Sequence, residues 1–401
     1  MPIEVRPLGV KCNINCHYCY QSGVRESADK GQRYDLNAIK RAILARSPQP
    51  FTVFGGEPLL LRKRDLSELF EWGFAHFGRS SIQTNGVLLD EEHVAMFKAF
   101  GVQVGLSIDG PGDLNDARWA GSPARTAAAT QKSLEAIDLL LSAGITPSLI
   151  TTLHRRNATS ERLPSLLAWF RSLDLKGIVS ARIHMLESES QAIKASLALS
   201  SQETADAMLE LDQLERCELK KLKFDLFREI KALMLGKDAT VSCTWRACDP
   251  YTTDAVQGIE GDGSSSNCGR TNKVGIDFAK SDTRSFERYL ALYHADQSDG
   301  GCKGCRFFLM CKGQCPGTAI DNDWRNRTEH CDSWMSIFER VESRLSSDGY
   351  VPLSLDPNRE ALERRMLEEW SVGHNPTLQH ALAKMWYVKV MQQQSELNGT
   401  L

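Results

Sequence analysis

Three cysteines stand close together near the start of the chain, Cys12, Cys16 and Cys19, in the run KCNINCHYCY over residues 11–20. The irons of an iron–sulfur cluster are ligated by cysteine thiolates, so three thiolates can hold three irons of a [4Fe–4S] cube. The fourth iron then takes no ligand from this loop. An open iron is a place where a small molecule can coordinate and receive an electron, whereas an electron carrier closes all four positions. The pattern therefore points to a catalyst. Two other readings use the same residues: a structural zinc, or a four-cysteine ferredoxin site whose last ligand lies elsewhere in the chain.

Such a loop needs rigid elements to present it. The first half of the chain alternates short apolar runs with helical patterns. Strands are predicted over residues 3–8, 51–54, 80–84, 102–108, 147–152 and 178–184, and helices over 36–45, 66–77, 91–100, 124–143 and 163–173. In the fourth helix Leu134, Ile137, Leu140 and Leu141 recur at helical spacing. Six strands alternating with helices predict a parallel sheet with crossover helices, either an open doubly wound sheet or a partial (β/α)6 barrel. In both, the reactive site lies at the C-terminal ends of the strands, and the cysteine loop follows the first strand. Residues 200–238 read as one or two long polar helices able to bridge two domains. From Cys243 to Cys331 periodicity fades while Gly, Asp, Ser and Cys rise, which suggests a segment organised by metal for want of its own core. Residues 334–401 are amphipathic and helical, punctuated by Pro352, Pro357 and Pro376.

Other motifs fall at the strand ends. After the second strand comes Gly55-Gly56-Glu57-Pro58, where two glycines let a backbone approach a ligand closely and Glu57 adds an anion. The third strand ends in Gln83-Thr84-Asn85-Gly86 and the fourth in Ser107-Ile108-Asp109-Gly110, both also strong turn sequences. Arg118 follows, and a guanidinium binds a carboxylate in a bidentate fork. A second cysteine group reads Cys302-x2-Cys305-x5-Cys311-x3-Cys315 and then Cys331, with Cys243, Cys248, Gly263 and Cys268 upstream. Paired C-x-x-C units are also zinc spacings. Cys217 stands apart in the long polar helix and is expected to be a small buried residue. His184 and Glu187 follow the sixth strand, and Asp249, Tyr251, Asp254 and Asp277 lie among the later cysteines as candidates for proton transfer. The tail run TLQHALAKMWYVKVM carries an apolar face suited to core packing or a dimer contact.

In this order the motifs resemble the radical S-adenosylmethionine (radical SAM) superfamily, whose cluster loop carries an aromatic residue before its last cysteine, here Tyr18. The second cysteine group resembles the C-terminal SPASM extension, which holds two auxiliary clusters in peptide- and protein-modifying maturases. The resemblance implies a partial (β/α)6 TIM-like barrel over residues 1–200, a helical bridge over 201–240, a small cysteine-rich SPASM-type domain over 241–335 and C-terminal helices over 336–401. It implies three [4Fe–4S] clusters and SAM. Cys12, Cys16 and Cys19 would hold the SAM-binding cluster; Cys302, Cys305, Cys311 and Cys331 one auxiliary cluster; Cys248, Cys268 and Cys315, with Cys243 as the fourth ligand, the other. These are eleven of the twelve cysteines, so only Cys217 is left over. SAM would lie against Tyr18, Gly55, Gly56, Glu57, Asn85, Ser107, Asp109, Arg118 and Leu153, with Glu57 near the methionyl ammonium, Arg118 on the carboxylate and Leu153 near the adenine. Family members often have His where this chain has Asn115.

The function so implied is reductive cleavage of SAM to a 5′-deoxyadenosyl radical and oxidative modification of a peptide or protein side chain, as a crosslink or similar change. The catalytic acid or base is unassigned, with Asp277, Tyr251 and His184 as candidates. Sulfatase-maturing relatives carry an acidic residue where this chain has Gly269, which argues against formylglycine formation. The alternatives are a radical SAM enzyme acting on a small metabolite or cofactor precursor, and a non-catalytic iron–sulfur or zinc protein. An external one-electron reductant of flavodoxin or ferredoxin type is expected. Eleven residues precede Cys12, which leaves no room for the N-terminal leader-binding domain of many peptide-maturing relatives. Recognition is then expected from the barrel, the tail or a separate leader-binding protein. The net charge of −3 gives no electrostatic case for nucleic acid, and no apolar run reaches the ~18 residues of a membrane span. The first residues lack the apolar core of a signal peptide. Twelve cysteines without a secretion signal favour metal or redox use over disulfides, and hence a cytoplasmic location.

Overall fold

The structure, a computed structural model, describes residues 3–27, 33–46, 48–188, 190–249, 251–252, 256–271 and 283–385. Six parallel strands run through the first half: β1 Ile3–Arg6, β2 Phe51–Val53, β3 Ser80–Thr84, β4 Val102–Ser107, β5 Ser148–Leu153 and β6 Ser180–Met185. They pair in chain order, β1 to β6, with registers such as Val5↔Val53, Val53↔Ile82 and Ser107↔Ile150. A doubly wound sheet reverses direction at a switch point. This sheet never does, so it winds as a partial barrel. It remains unclosed and gains three strands at its margins: β7 Lys223–Phe224 beside β6, then β8 Gln257–Glu260 parallel to β1, with β9 Ser265–Ser266 antiparallel to β8.

The period of two along each strand decides which face is covered. Ile3, Val5, Phe51, Val53, Ile82, Val104, Leu106, Leu149 and Ile183 are buried. The residues between them, among them Glu4, Thr52, Gln83, Ser107 and His184, are half-buried and polar. Full burial of one such apolar side chain is worth roughly 1.5–3 kcal/mol, which holds the crossover helices against one face and leaves the other polar. These helices are α1 Ser22–Ser27, α2 Leu36–Arg46, α3 Lys63–Phe77, α4 Glu91–Ala99, α5 Pro123–Ser142, α6 Leu163–Lys176 and α7 Gln191–Leu197. Their starts are written locally. Asp90 caps α4 through the His93 N–H, and Ser122 caps α5 ahead of Pro123. Close packing follows, since a Cβ on Gly73 of α3 would come within 2.9 Å of the Phe51 ring.

Residues 200–238 form two helices, the second of the alternatives read from the sequence. α8 Ser201–Cys217 opens with a Ser200/Glu203 capping box, β7 interrupts, and α9 Asp225–Met234 follows. The interruption is set from a distance: the Asp174 carboxylate at the end of α6 accepts the backbone N–H groups of Lys220, Lys221 and Leu222 at 3.2, 2.7 and 2.7 Å. Cys217 is exposed, not buried, because Leu211 and Leu214 take the inner face of α8.

The chain packs as two compact units, Met1–Leu226 with Val256–Ala279, and Phe227–Ala255 with Lys280–Leu401. The first contains the whole sheet. The second holds α10 Glu287–His294, α11 Phe308–Cys311, α12 Cys331–Ser347 and α13 Arg359–Ser371. It also has more core than its composition suggested. Trp245, Tyr289, Phe307, Phe308, Phe338 and Trp370 are all buried, with edge-on contacts of Trp245 to Trp334 and Phe338. Aromatic residues dispersed without period escape a periodicity reading yet still supply large buried area. Among the described residues no helix is long and apolar enough to cross a membrane.

Candidate functional site

The Cys12–Cys19 loop follows β1 and is fastened on three sides. Gly56 N donates to Gly9 O at 3.0 Å and Glu57 N to Lys11 O at 2.8 Å. The two glycines are required by this contact: a Cβ on Gly55 would stand 2.4 Å from Gly9 O, and one on Gly56 2.0 Å from Lys11 O. In this structure the backbone that the two glycines admit is that of the cysteine loop. On the opposite side Asn15 N donates to Trp119 O at 2.6 Å and His17 N to Ala117 O at 2.8 Å. On the third, Arg25 of α1 reaches back to Val10 O, Ile14 O, the Asn15 side chain and the Cys19 sulfur.

Gly56→Ala should consequently dislodge the loop. The expected result is a lower iron uptake on anaerobic reconstitution by a chain whose circular dichroism is preserved; uptake equal to wild type would refute the packing argument.

Glu57 is buried and ties neighbouring loops together. Its Oε1 accepts from Leu59 N at 3.0 Å and from the Thr84 hydroxyl at 2.6 Å, and its Oε2 accepts from Asn85 N at 2.9 Å. Burial raises its carboxyl against the pull of these bonds. A carboxylate has about four lone-pair sites, so one on Oε2 is left for a further donor. Asn85 turns its amide toward the loop, with Nδ2 2.7 Å from Asn13 Oδ1 and 3.9 Å from the Cys12 sulfur.

After β4 lies a buried ionic group. Asp109 receives Arg118 Nη2 at 3.0 Å and Thr152 N at 3.0 Å on Oδ1, and the Tyr18 hydroxyl and His154 Nε2 (3.3 Å) on Oδ2. Burial alone would raise this carboxyl. The Arg118 charge, helped by His154 and Tyr18, more than reverses that and holds it well below the usual carboxylate range. Burial also pushes the Tyr18 phenol well above its ordinary value. Arg118 keeps a buried Nε–H with no partner. Sequence reasoning named Tyr18, Asp109 and Arg118 but gave no role to the two amides that assemble this group. Asn115 accepts Asp109 N at 2.8 Å and donates to Thr130, and Asn157 donates to Asp109 O and Thr152 O at 3.0 and 2.9 Å. Their only signal in the sequence is an amide shortly after a strand end.

Ser107 accepts from Gln83 Nε2 at 2.8 Å, and Leu153 is buried at the end of β5. His184, near the end of β6, meets Arg270 through Nδ1, and Arg270 also pairs with Glu187 at 2.9 Å. Burial and the Arg270 charge hold the His184 ring well below its ordinary pKa, and its Nε2 is buried without a partner. In the second unit Tyr251 packs on Trp324 with ring centroids 4.7 Å apart, and Asp249 caps the turn before it through Tyr251 N and Thr252 N. Asp254 and Asp277 lie outside the described residues.

None of the twelve cysteines forms a disulfide. Among the described residues no three His, Cys, Asp or Glu side chains are placed to hold a single metal ion. A four-iron cluster asks for something else, thiolates spread around the corners of a cube. Burial raises the Cys12 and Cys16 thiols, Cys16 to about 12; the Arg118 charge opposes this at Cys16 and Arg25 opposes it at Cys12, while the neighbouring sulfurs add to it. Ionised together, the sulfurs need a cationic partner, which the irons of a cluster provide. The second unit contains a similar donor set. Cys302, Cys305, Cys311 and Cys331 line one pocket walled by Phe307, Phe308, Trp334 and Phe338. Burial raises all four thiols, Cys302 to about 12. Cys315 is not among the lining residues. Lys312, Gly313 and Gln314 all have positive φ, of 51°, 69° and 60°, so the chain reverses hand between Cys311 and Cys315. The buried Lys312 ammonium holds that turn by donating to Trp245 O and Leu309 O at 2.9 and 2.6 Å.

Comparison with known proteins agrees with this geometry. The cysteine-type anaerobic sulfatase-maturating enzyme of Clostridium novyi (strain NT) is 23% identical over 366 residues, which cover 85% of this chain and 95% of that protein. The solved structure of native anSMEcpe with bound AdoMet and Cp18Cys peptide superposes with a TM-score of 0.68 at 17% identity, over 86% of this chain and 98% of that one. Streptococcus suis SuiB gives a TM-score of 0.54 at 16% identity, over 82% and 76%. At such identities these two structures speak to the fold. Residues 7–170 match the model of the Radical SAM superfamily. The loop that presents Cys12, Cys16 and Cys19 falls within that stretch, which is the part of the chain that matches the Radical SAM superfamily.

Proposed function

We propose that this protein is a radical SAM enzyme that oxidatively modifies a side chain of a peptide or protein. The Radical SAM match over residues 7–170 implies a [4Fe–4S] cluster and SAM. The observation that carries the reading is the three-cysteine loop, held between the Gly55–Gly56 turn and the Tyr18–Asp109–Arg118 group at the C-terminal ends of the strands. Cluster and SAM together, when bound, supply a 5′-deoxyadenosyl radical. The chain's own residues do the positioning. Cys12, Cys16 and Cys19 hold three irons, Asp109 fixes the Arg118 guanidinium in place, and the spare Arg118 Nε–H is a donor for a carboxylate. Asn85, Ser107 and the last lone pair of Glu57 add polar contacts on the same side. His184 accepts from Arg270 on Nδ1, so its ring hydrogen sits on Nε2, where it can be donated to substrate.

A peptide substrate is supported by the Clostridium relative, matched over most of both chains, and by the polar inner face of the sheet. Gly269 stands where the family's sulfatase-maturing members carry an acid, which argues against formylglycine as the product. Two auxiliary clusters would take up the electron lost by the oxidised substrate, one on Cys302, Cys305, Cys311 and Cys331, the other on Cys243, Cys248, Cys268 and Cys315. A flavodoxin- or ferredoxin-type protein is the reductant, with a separate leader-binding protein where the peptide needs one.

The test is anaerobic reconstitution followed by incubation with SAM, a reductant and peptides encoded beside the gene. The expected result is about twelve irons per chain, as three four-iron clusters, and a mass loss in one peptide that appears together with 5′-deoxyadenosine. Zinc in place of iron, or iron without 5′-deoxyadenosine, would remove the reading.

A further inference from the structure

We propose that Arg25 sets the reduction potential of the cluster held by Cys12, Cys16 and Cys19, by donating a charged hydrogen bond to the Cys19 sulfur. The proposal rests on the radical SAM reading and adds to it a residue outside the cysteine motif. Arg25 lies on α1, the first helical turns after the loop. Its Nη2 stands 3.2 Å from Cys19 Sγ. Its Nε donates to Val10 O at 3.1 Å, and its Nη1 to Ile14 O at 3.3 Å and Asn15 Oδ1 at 3.1 Å. One planar fork therefore touches the loop before Cys12, between Cys12 and Cys16, and at Cys19. The three oxygen contacts fix the guanidinium so that its remaining edge faces a ligand sulfur.

Hydrogen bonds to cluster sulfurs are among the levers that set iron–sulfur potentials. A donor that is also a fixed cation stabilises the more negative, reduced state and so raises the potential. Arginine is suited to this because it stays protonated and reaches several acceptors from one plane. Lysine offers the charge without the fork.

The experiment compares reconstituted full-length wild type, Arg25→Gln and Arg25→Lys in an anaerobic redox titration followed by electron paramagnetic resonance. The relevant signal is the one missing from Cys16→Ala, which separates it from any auxiliary cluster. No substrate is needed. Should wild type and Cys16→Ala give the same signals, the radical SAM reading itself fails and not this inference. The expected result is iron content equal to wild type and a midpoint lowered by about 59 mV or more in Arg25→Gln, a tenfold change for a one-electron couple. Arg25→Lys should fall between the two. A midpoint equal to wild type in whichever variant retains the cluster overturns the proposal. Loss of the cluster from both variants overturns it too, since the guanidinium would then be holding the loop in place and not tuning it.

Discussion

Cys16→Ala should abolish SAM cleavage and lower the reconstituted iron by about four per chain, while leaving the remainder of the iron in place. This is the largest effect expected from any single substitution. The Cys16 sulfur stands within electrostatic reach of the Cys12 and Cys19 sulfurs and of Arg118. Two thiolates cannot hold a cube that three hold, and the loop has no second thiol to recruit: the residues between Cys12 and Cys19 are Asn13, Ile14, Asn15, Cys16, His17 and Tyr18. The four cysteines of the second-unit pocket belong to a separate set with its own aromatic walls, so iron proposed to bind there should survive. Iron and acid-labile sulfide assays measure the first part, and chromatographic detection of 5′-deoxyadenosine the second. Retained cleavage in Cys16→Ala would mean that the cluster ligands are wrongly assigned.

Asp109→Ala should destabilise the first unit by about 3–5 kcal/mol, the cost of leaving a buried cation without its partner. Asp109 is fully buried and Arg118 nearly so. The substitution strands the Arg118 guanidinium, the Tyr18 hydroxyl and the Thr152 N–H at once. It should also weaken SAM binding, because the position of Arg118 depends on Asp109. Chemical denaturation followed by tryptophan fluorescence reads the first effect. A variant within about 0.5 kcal/mol of wild type, the ordinary range for surface changes, would show that the buried group is dispensable. The pH dependence has a definite sign. The folded carboxyl is depressed, so its contribution is complete above the unfolded value of about 3.9 and is lost only as pH falls toward the much lower folded value. Between pH 5 and 8 titration of the Asp109 carboxyl itself should therefore contribute no change to the stability of the wild type.

The amino-acid sequence by itself determined the parts that depend on local order. The six core strands lie within two residues of their predicted bounds at each end, because an apolar period of two closed by turn residues is a local property. The chemistry of the cysteine loop was legible for the same reason, since ligand type and spacing lie within eight consecutive residues. Tertiary structure alone decided the rest. β7 and β8 carry no period of their own and become strands because an existing sheet edge offers unpaired backbone, beside β6 for one and β1 for the other. Gly55 and Gly56 serve the approach of residues 9–11, some 45 positions earlier, and that contact exists only once β1 and β2 pair. The partners of Asp109 come from after β1, β4 and β5, three segments with no shared pattern in the chain, and are brought together by low-dielectric burial that no group among them tolerates alone. Spacing can name the atoms able to do chemistry, but which of them meet depends on long-range pairing, and that is settled by packing.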